Sequence, residues 1–333
     1  MSQVYIDENG AQIGTEGNRL TIKYRNGDVR SFPIETIESI IMMGKSQLTT
    51  QCMEKCMNKG IPVAFFSKGG KYFGRLMSSG HVKPELQRKQ SALYDTDFAF
   101  ELSRKIIKAK IQNQTVVLRR YAKSRDLDLL GLIVSMKSDI KHIDNVKNIP
   151  ELMGYEGNSA KIYFKGLSQC VDDEFEFEGR SKRPPKDPFN SLISLGYSIL
   201  MNNIYEVVEE KGLNPYFGFM HRDGENHPTL VSDLMEEWRA VLIDSTAMSL
   251  INGKEILRSN FYTDYENPGV FIDKDGLNIF ISKLEMKLKT SVKYLKYVDY
   301  AVSFRRAIAL QVMSLVKAIE SQNPDEYEPI VIR

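Results

Sequence analysis

The chain has 333 residues, of which 42% are hydrophobic and 26% are charged. These values are ordinary for a globular protein with a real core, and they exclude disordered, collagen-like and coiled-coil proteins. At roughly 150 residues per domain, the length predicts about two domains. The net charge of +2 says little about binding partners.

Features of membrane and secreted proteins are missing from the sequence. There is no uninterrupted apolar run of about 18 residues, so we expect no transmembrane helix and no membrane partner. The first residues do not pair a basic segment with an apolar one, so we expect no secretory signal. Cys52, Cys56 and Cys170 are too few for a disulfide framework, which predicts buried thiols in a cytoplasmic protein.

Residues 1–80 have the pattern of a β-rich domain with one helix. Strand-like segments cover residues 20–24 and 29–32, and the Asn26-Gly27 pair between them is typical of a hairpin turn. Further apolar segments at 37–42, 61–66 and 71–76 predict more strands. A helix is predicted over residues 47–58, with Gly60 as its C-cap.

From residue 95 onward the hydrophobic period becomes helical. Helices are predicted at residues 98–123, 129–141, 192–210, 229–250, 277–289 and 298–319. Residues 81–94 are interpreted as a linker, residues 172–178 as a mobile acidic loop and the polar tail after residue 321 as frayed. The predicted fold is therefore a two-domain α+β protein, with a β-rich N-terminal domain (1–80) and an all-α C-terminal domain (95–333).

Basic residues are concentrated in two of these helical segments. Residues 101–125 hold eight basic side chains against one acid, and residues 281–310 hold seven against two. Such helices suit a DNA phosphate backbone, although a solvated helix face is the ordinary alternative. The candidate phosphate contacts are Lys105, Lys108, Arg119, Lys287 and Lys289.

Three distant segments carry the candidate catalytic side chains. Glu156 lies among apolar and small residues, and His221 ends a loop punctuated by glycine and proline. Asp233, Glu236 and Glu237 are spaced to share one helix face. Spacing alone cannot show that these residues converge.

Two carboxylates with an imidazole are a workable donor set for Mg²⁺ or Mn²⁺. Arg239, about one turn after Glu236, could hold a phosphate. The structural alternatives remain open at this point: Glu156 as a helix cap, His221 as a hydrogen-bonded loop residue, and Asp233 with Glu236 as a solvated helix face.

An ordered set of motifs resembles one known family, the CRISPR-associated endonuclease of spacer acquisition, which is the universal CRISPR adaptation integrase. The matching motifs are Gly17-Asn18-Arg19-Leu20, Gly60-Ile61-Pro62-Val63, Lys110-Ile111-Gln112-Asn113-Gln114, Glu156-Gly157 with Ala160 and Tyr163-Phe164, Asn190 with Leu195-Gly196-Tyr197 and Leu200, Gly212-Leu213-Asn214-Pro215 with Gly218 and His221, and Leu230 with Asp233-Leu234-Met235-Glu236 and Arg239. The set runs through nearly the whole chain.

The resemblance implies roles for individual residues. Glu156, His221 and Glu236 would be catalytic and would bind Mg²⁺ or Mn²⁺. Asp233 would be a nearby outer-shell acid or an alternative ligand, and the choice between Asp233 and Glu236 as inner ligand stays open. Arg239 would lie near the DNA phosphate.

The resemblance also implies an activity and partners. The protein would be a metal-dependent DNA endonuclease and integrase that inserts short foreign fragments, called spacers, into a CRISPR repeat array by transesterification. It would act on double-stranded or branched DNA with 3′-OH ends, dimerise through its N-terminal domain, and work with a small ferredoxin-like protein that bridges two dimers. The alternatives are a metal-free DNA-binding architectural module and a small-molecule metallo-phosphoesterase.

Overall fold

The computed structural model describes residues 2–78, 82–182, 184–263, 268–294 and 298–332. Two compact units divide the chain, Met1–Val82 and Lys83–Arg333. The predicted α+β class is confirmed. His81 of the predicted linker and Lys296 of the second basic segment lie outside the described residues.

Over residues 2–78, the first unit contains two four-stranded sheets and one α-helix. Its elements are β1 (Ser2–Ile6), β2 (Gln12–Glu16), β3 (Arg19–Lys23), β4 (Val29–Pro33), β5 (Ile37–Met43), β6 (Gln47–Leu48), α1 (Thr50–Lys59), β7 (Val63–Phe66) and β8 (Tyr72–Leu76). One sheet has the order β1-β5-β7-β8, and the other has the order β4-β3-β2-β6. In the first sheet, β1, β5 and β7 are parallel and β8 is antiparallel to β7.

Local sequence signals explain several boundaries of this unit. Gly27 adopts a φ of 88° in the predicted hairpin turn between β3 and β4. The side chain of Thr49 caps the N-terminus of α1, and Gly60 ends the helix with a φ of 67°. Cys52 and Cys56 face inward from α1 and are fully buried, as predicted for structural thiols.

The second unit is mainly helical. Its helices are α2 (Pro84–Ala92), α3 (Asp97–Ser124), α4 (Leu130–His142), α5 (Ile149–Cys170), α6 (Pro188–Glu210), α7 (Thr229–Met235), α8 (Ser245–Asn252), α9 (Lys274–Lys289) and α10 (Phe304–Ser321). Two short hairpins join β9 (Phe261–Thr263) to β10 (Val270–Ile272) and β11 (Ser291–Val292) to β12 (Val302–Ser303). Over the described ranges, none of these helices combines the length and apolar character of a membrane span.

Several predicted boundaries in this unit are wrong. Because of the two hairpins the unit is not all-α, and α10 starts at Phe304 rather than at residue 298, since Val302–Ser303 pairs as β12. The predicted helix 229–250 is interrupted after α7, and a π-helical turn at Arg239–Asp244 leads into α8. No helix was predicted from the sequence over the residues of α5.

Three segments predicted to be irregular are ordered. The predicted linker contains α2, whose buried Gln90 donates hydrogen bonds to the carbonyls of Asn214 and Phe217. In the acidic segment Phe175 and Phe177 are buried, so it is anchored. The tail after residue 321 is not frayed, because Tyr327 is buried within the second unit.

Candidate active site

The side chain of Lys110 connects two acidic residues from different elements. Lys110 projects from α3, and its ammonium group forms ion pairs with Glu156 on α5 and, at 2.6 Å, with Glu236 just after α7. Burial alone would lower the pKa of Lys110, but the carboxylates of Glu236 and Glu156 outweigh it and raise that pKa above its usual value. The packing of α3 against α5 therefore supports a buried, charged cluster.

Asp233 fixes the histidine loop. Its carboxylate accepts the backbone N–H groups of Phe219, Met220 and His221 at 2.7, 3.1 and 3.1 Å. The same carboxylate lies 2.6 Å from Nδ1 of His221. Because an ionised carboxylate can only accept, Nδ1 carries the proton in this contact. The other ring nitrogen, Nε2, lies 4.0 Å from a carboxylate oxygen of Glu236.

The loop before His221 needs a glycine where it touches α7. The backbone N–H of Gly218 donates to the hydroxyl of Thr229 at 2.9 Å. A Cβ atom at position 218 would stand 2.8 Å from atoms of Thr229, closer than real Cβ contacts. Only glycine therefore lets the loop lie against the first turn of α7 and deliver His221 beside Asp233.

A basic group borders the acidic pair. The Nε atom of Arg239 lies 3.1 Å from Glu236, and its guanidinium stacks 4.5 Å from the ring centroid of Tyr197. Arg180 lies 5.4 Å from the same centroid. Burial and the neighbouring charges of Arg239 and Arg180 lower the pKa of Lys182. Such crowding of cations is typical of a phosphate-binding surface.

The electrostatics keep Glu236 ionised. Burial would raise the pKa of this carboxyl, but Arg239 and Lys110 lower it to about 2. The pKa of His221 is raised, because the hydrogen bond to Asp233 and the charges of Asp233 and Glu236 outweigh the effect of burial. In the cluster, ionised carboxylate oxygens therefore lie close to an imidazole whose orientation is fixed.

Most of the residues proposed as catalytic from the sequence lie in this cluster. Glu156, His221, Asp233, Glu236 and Arg239 are linked through the contacts described above. Asp233 and Glu236 are buried, so the interpretation of a solvated helix face is wrong. Glu156 lies inside α5, so it is not a helix cap.

Glu237 does not share the face of Glu236. Its carboxylate accepts hydrogen bonds from the hydroxyl of Tyr327 at 2.7 Å and the backbone N–H of Ile330 at 2.6 Å. The helix predicted through this position ends at Met235, and this break turns Glu237 away from the cluster.

The residues predicted to contact DNA phosphate are spread over the second unit. Lys105 forms an ion pair with Asp325 at 2.8 Å, and Lys108 pairs with Asp144. The remaining three lie apart from these pairs: Arg119 and Lys289 are exposed, whereas Lys287 is only partly exposed. Their role in DNA binding stays a prediction.

No site role was predicted from the sequence for four residues of the cluster: Lys110, Arg180, Lys182 and Tyr197. Signals for three of them were present. Lys110 lies on the buried stripe of α3 with Ile107 and Gln114, at the spacing of one helix face. Arg180 and Lys182 belong to a basic run that follows the acidic segment, but nothing local shows that this run folds over Tyr197.

The donor chemistry of the cluster fits a hard divalent cation. Two carboxylates and an imidazole are ligand types that suit Mg²⁺ and Mn²⁺. Glu156 and Glu236 already share one cationic group, the ammonium of Lys110. Among the described residues, no three His, Cys, Asp or Glu side chains stand close enough to hold a metal ion as they are placed. Metal binding would therefore require Lys110 to move from between the carboxylates.

Comparisons with known proteins identify relatives across almost the whole chain. A family model described as CRISPR associated protein Cas1 matches residues 4–286. The CRISPR-associated endonuclease Cas1 of Mycobacterium tuberculosis is 33% identical over 333 residues, covering 100% of this chain and 98% of that protein.

Two solved structures share the fold. The first is a casposase bound to integration product, with a TM-score of 0.86 and 21% identity, covering 97% of this chain and 92% of the casposase. The second is a chain of a Cas6-RT-Cas1–Cas2 complex, with a TM-score of 0.85 and 21% identity, covering 98% of this chain and 36% of that one.

Proposed function

The chain belongs to the CRISPR-associated Cas1 family, and from this membership we propose that its second unit is a metal-dependent DNA endonuclease and integrase. The observation that carries the proposal is the convergence of Glu156 and Glu236 on one ammonium group, with Nε2 of His221 4.0 Å from Glu236. We propose that these three side chains hold Mg²⁺ or Mn²⁺ once Lys110 withdraws.

The proposed reaction exchanges one phosphodiester for another. The 3′-hydroxyl oxygen of a short DNA fragment forms a bond to a phosphorus atom at the edge of a repeat, and the 3′ oxygen of the repeat strand leaves. No net phosphodiester is lost, so no nucleotide hydrolysis is needed to drive the step. Water in place of the hydroxyl gives endonuclease activity.

The divalent ion would polarise a phosphoryl oxygen and increase the acidity of the attacking hydroxyl. The chain's own residues would orient the side chains that hold the ion and balance the charge around the ion. Asp233 holds Nδ1–H of His221, so the lone pair of the neutral imidazole lies on Nε2. We therefore propose Asp233 as a positioning residue and Glu236 as the direct ligand.

Basic side chains would stabilise the phosphate as charge develops in the transition state. Arg239 is preorganised by Glu236 and by the ring of Tyr197. Fixed cations in a partly buried site stabilise developing negative charge more than they would in water. We therefore propose that Arg239, with Arg180 and Lys182 beside it, holds the scissile phosphate.

We propose the same partners that the resemblance implies. A solved protein of this fold belongs to a Cas1–Cas2 complex, and another is bound to its integration product. These relatives support a partner protein and DNA as substrate. We propose that the partner is small and ferredoxin-like and bridges two homodimers, and that the DNA is double-stranded or branched. The first unit would form the homodimer.

A strand-transfer assay tests the proposal. Purified protein, the small partner, a short duplex with 3′-OH ends and a plasmid carrying a repeat are incubated with Mn²⁺ or Mg²⁺. The Glu156→Gln variant should bind DNA but lose strand transfer. Glu151→Gln is the matched control, because it makes the same change on an exposed face of α5.

The rival functions give different results. A metal-free architectural module would bind DNA without strand transfer or cleavage under any metal condition. A small-molecule phosphoesterase would cleave a chromogenic phosphate ester but show little salt dependence of DNA binding, because few counterions would be released. Unchanged strand transfer in Glu156→Gln would remove Glu156 from the mechanism.

A further inference from the structure

A second concave site lies in the same unit, apart from the Lys110 cluster. Residues of α3, α8 and α9 enclose a cavity of about 580 Å³, within the range of roughly 300–1,000 Å³ found for small-molecule sites. Arg120 lines this cavity and follows Lys110 by ten residues on α3. At 1.5 Å per helical residue, it lies about 15 Å along the helix from Lys110.

The described lining residues of the cavity include three basic side chains. Arg120, Lys283 and Lys287 line it, and no Asp or Glu appears among its described lining residues. Lys283 is paired with Glu255 at 2.5 Å, outside the lining. Burial, and then the charge of Arg120, lowers the pKa of Lys287 to about 8. An anion in the cavity would relieve this crowding of cations.

The nearby anion Asp244 is already engaged elsewhere. It is fully buried and accepts hydrogen bonds from the hydroxyls of Tyr163 at 3.0 Å and Tyr197 at 2.5 Å. The ammonium of Lys287 instead contacts the hydroxyl of Ser245. The ammonium of Lys287 therefore contacts a neutral hydroxyl rather than the carboxylate of Asp244.

The other walls of the cavity are apolar and aromatic. The hydroxyl of Tyr121 donates to the carbonyl of Ser245 at 2.8 Å, which fixes its ring at the wall. The ring of Tyr294 packs 5.9 Å from that of Phe304, and Met286 is 67% exposed at the rim. A basic patch beside aromatic and thioether surface suits a ligand with both a phosphate and a flat ring better than a bare phosphate.

We propose that this cavity binds a nucleoside phosphate, with the phosphate held by Arg120, Lys283 and Lys287 and the base against Tyr294 and Met286. The ligand has two possible sources, an unpaired nucleotide of a DNA strand and a free nucleotide. The first source rests on the proposed function. A strand spans 15 Å in roughly four nucleotides at 3.4 Å each, so one strand could reach both sites.

Binding of thymidine 5′-monophosphate and of a labelled ten-nucleotide single strand tests this inference. Both ligands are titrated against the full chain by calorimetry and by fluorescence anisotropy. Arg120→Gln and Lys283→Gln should each weaken binding about tenfold, as expected for loss of one charge-assisted phosphate contact. Lys317→Gln, an exposed lysine on α10 outside the cavity, should bind like the unmodified chain.

A cavity-filling variant supplies an independent measurement. Ser249→Phe keeps every charge but fills the space, and it should also weaken binding while circular dichroism reports an unchanged fold. Weakening for the single strand alone identifies DNA as the source, and weakening for both ligands identifies nucleotides in general. Equal binding by all variants, or no binding of either ligand, overturns the inference.

The Glu156→Gln variant separates this inference from the proposed function. It should bind thymidine 5′-monophosphate like the unmodified chain, because Glu156 does not line the cavity. Absence of strand transfer in the unmodified chain, together with cavity-dependent binding, would remove the proposed function and leave the nucleotide site standing. Strand transfer by the unmodified chain without any cavity-dependent binding would remove the nucleotide site and leave the proposed function standing.

Discussion

Replacing Asp233 by Asn should disable the histidine while leaving the fold largely in place. The carboxylate accepts three backbone N–H groups and Nδ1–H of His221. An amide can keep one oxygen on the bonds to Phe219 and Met220, but its NH₂ group then faces His221. That NH₂ can only donate, so the imidazole must accept at Nδ1 and carry its proton on Nε2.

The change of hydrogen-bond partners in Asp233→Asn sets the expected losses of stability and of metal affinity. The backbone N–H of His221 loses its acceptor, which costs about 1–3 kcal/mol of unfolding free energy for one buried unsatisfied donor. The imidazole loses the Nε2 lone pair needed for a metal ligand. Loss of a residue that orients a metal-ligating histidine typically lowers metal affinity about 10–100-fold. The expected result is a large loss of Mn²⁺ affinity with a small loss of stability.

Two measurements on Asp233→Asn check this reasoning. Calorimetry gives the Mn²⁺ affinity, and urea denaturation gives the unfolding free energy. Asp187→Asn, at the N-cap of α6, is a matched control away from His221. Unchanged Mn²⁺ affinity in Asp233→Asn would refute the role of the tautomer, and complete unfolding would show that Asp233 serves the fold rather than the ligand.

Four further substitutions test other parts of the structure. Lys110→Met leaves the buried carboxylate of Glu236 and the partly buried carboxylate of Glu156 without their shared cation, so the metal-free unfolding free energy should fall by about 3–5 kcal/mol. Added Mn²⁺ should raise the melting temperature more than in the unmodified chain. Asp244 has a folded pKa of about 6 against a usual 3.8. Its protonation therefore stabilises the fold below pH 4, and this contribution is lost as the pH rises through 6. Asp244→Asn should remove a pH-dependent change of about 3 kcal/mol in unfolding free energy, measured by urea denaturation across pH 4–7. A Cβ atom on Gly196 would stand 2.5 Å from Ile243, so Gly196→Ala should lower the unfolding free energy by about 1–3 kcal/mol. Gly131 lies on α4 in open space, so Gly131→Ala should raise the unfolding free energy by about 0.5–1 kcal/mol in the same urea titration.

Each of these substitutions has a result that contradicts its reasoning. For Lys110→Met it is a melting temperature equal to that of Lys123→Met, which removes an exposed charge from the same helix. For Asp244→Asn it is a pH dependence identical to that of the unmodified chain. For the two glycines it is an equal change in unfolding free energy in Gly196→Ala and Gly131→Ala.

Local signals made much of the first unit predictable. Gly27 and Gly60 occupy positions where positive φ is needed, so the hairpin turn and the end of α1 could be placed from the sequence. The family resemblance is also confirmed. The hairpin turn and the helix end depend on residues that act within a few positions along the chain, whereas the resemblance depends on motifs spread over nearly the whole sequence.

Tertiary packing explains why α5 was missed. Its sequence holds Gly154, Gly157 and Gly166, which weaken a helical pattern. A Cβ atom at position 166 would stand 2.7 Å from the side chain of Leu118 on α3. The glycine therefore permits a close helix contact that is invisible in the local pattern, and this contact brings Glu156 toward Lys110.

The break at Glu236 was equally hidden. The turn after α7 and the π-helical segment shift the side-chain register, so Glu236 faces Lys110 while Glu237 faces Tyr327. Helical periodicity placed both acids on one face. Such insertions are often found at functional sites, where the fold departs from regular helix.

Anomalous diffraction from a crystal grown with Mn²⁺ would show where the metal binds. We expect one strong peak within coordinating distance of carboxylate oxygens of Glu156 and Glu236 and of Nε2 of His221, with the Lys110 ammonium moved from between the carboxylates. A peak elsewhere, or none here while Lys110 still joins Glu156 to Glu236, would contradict this expectation.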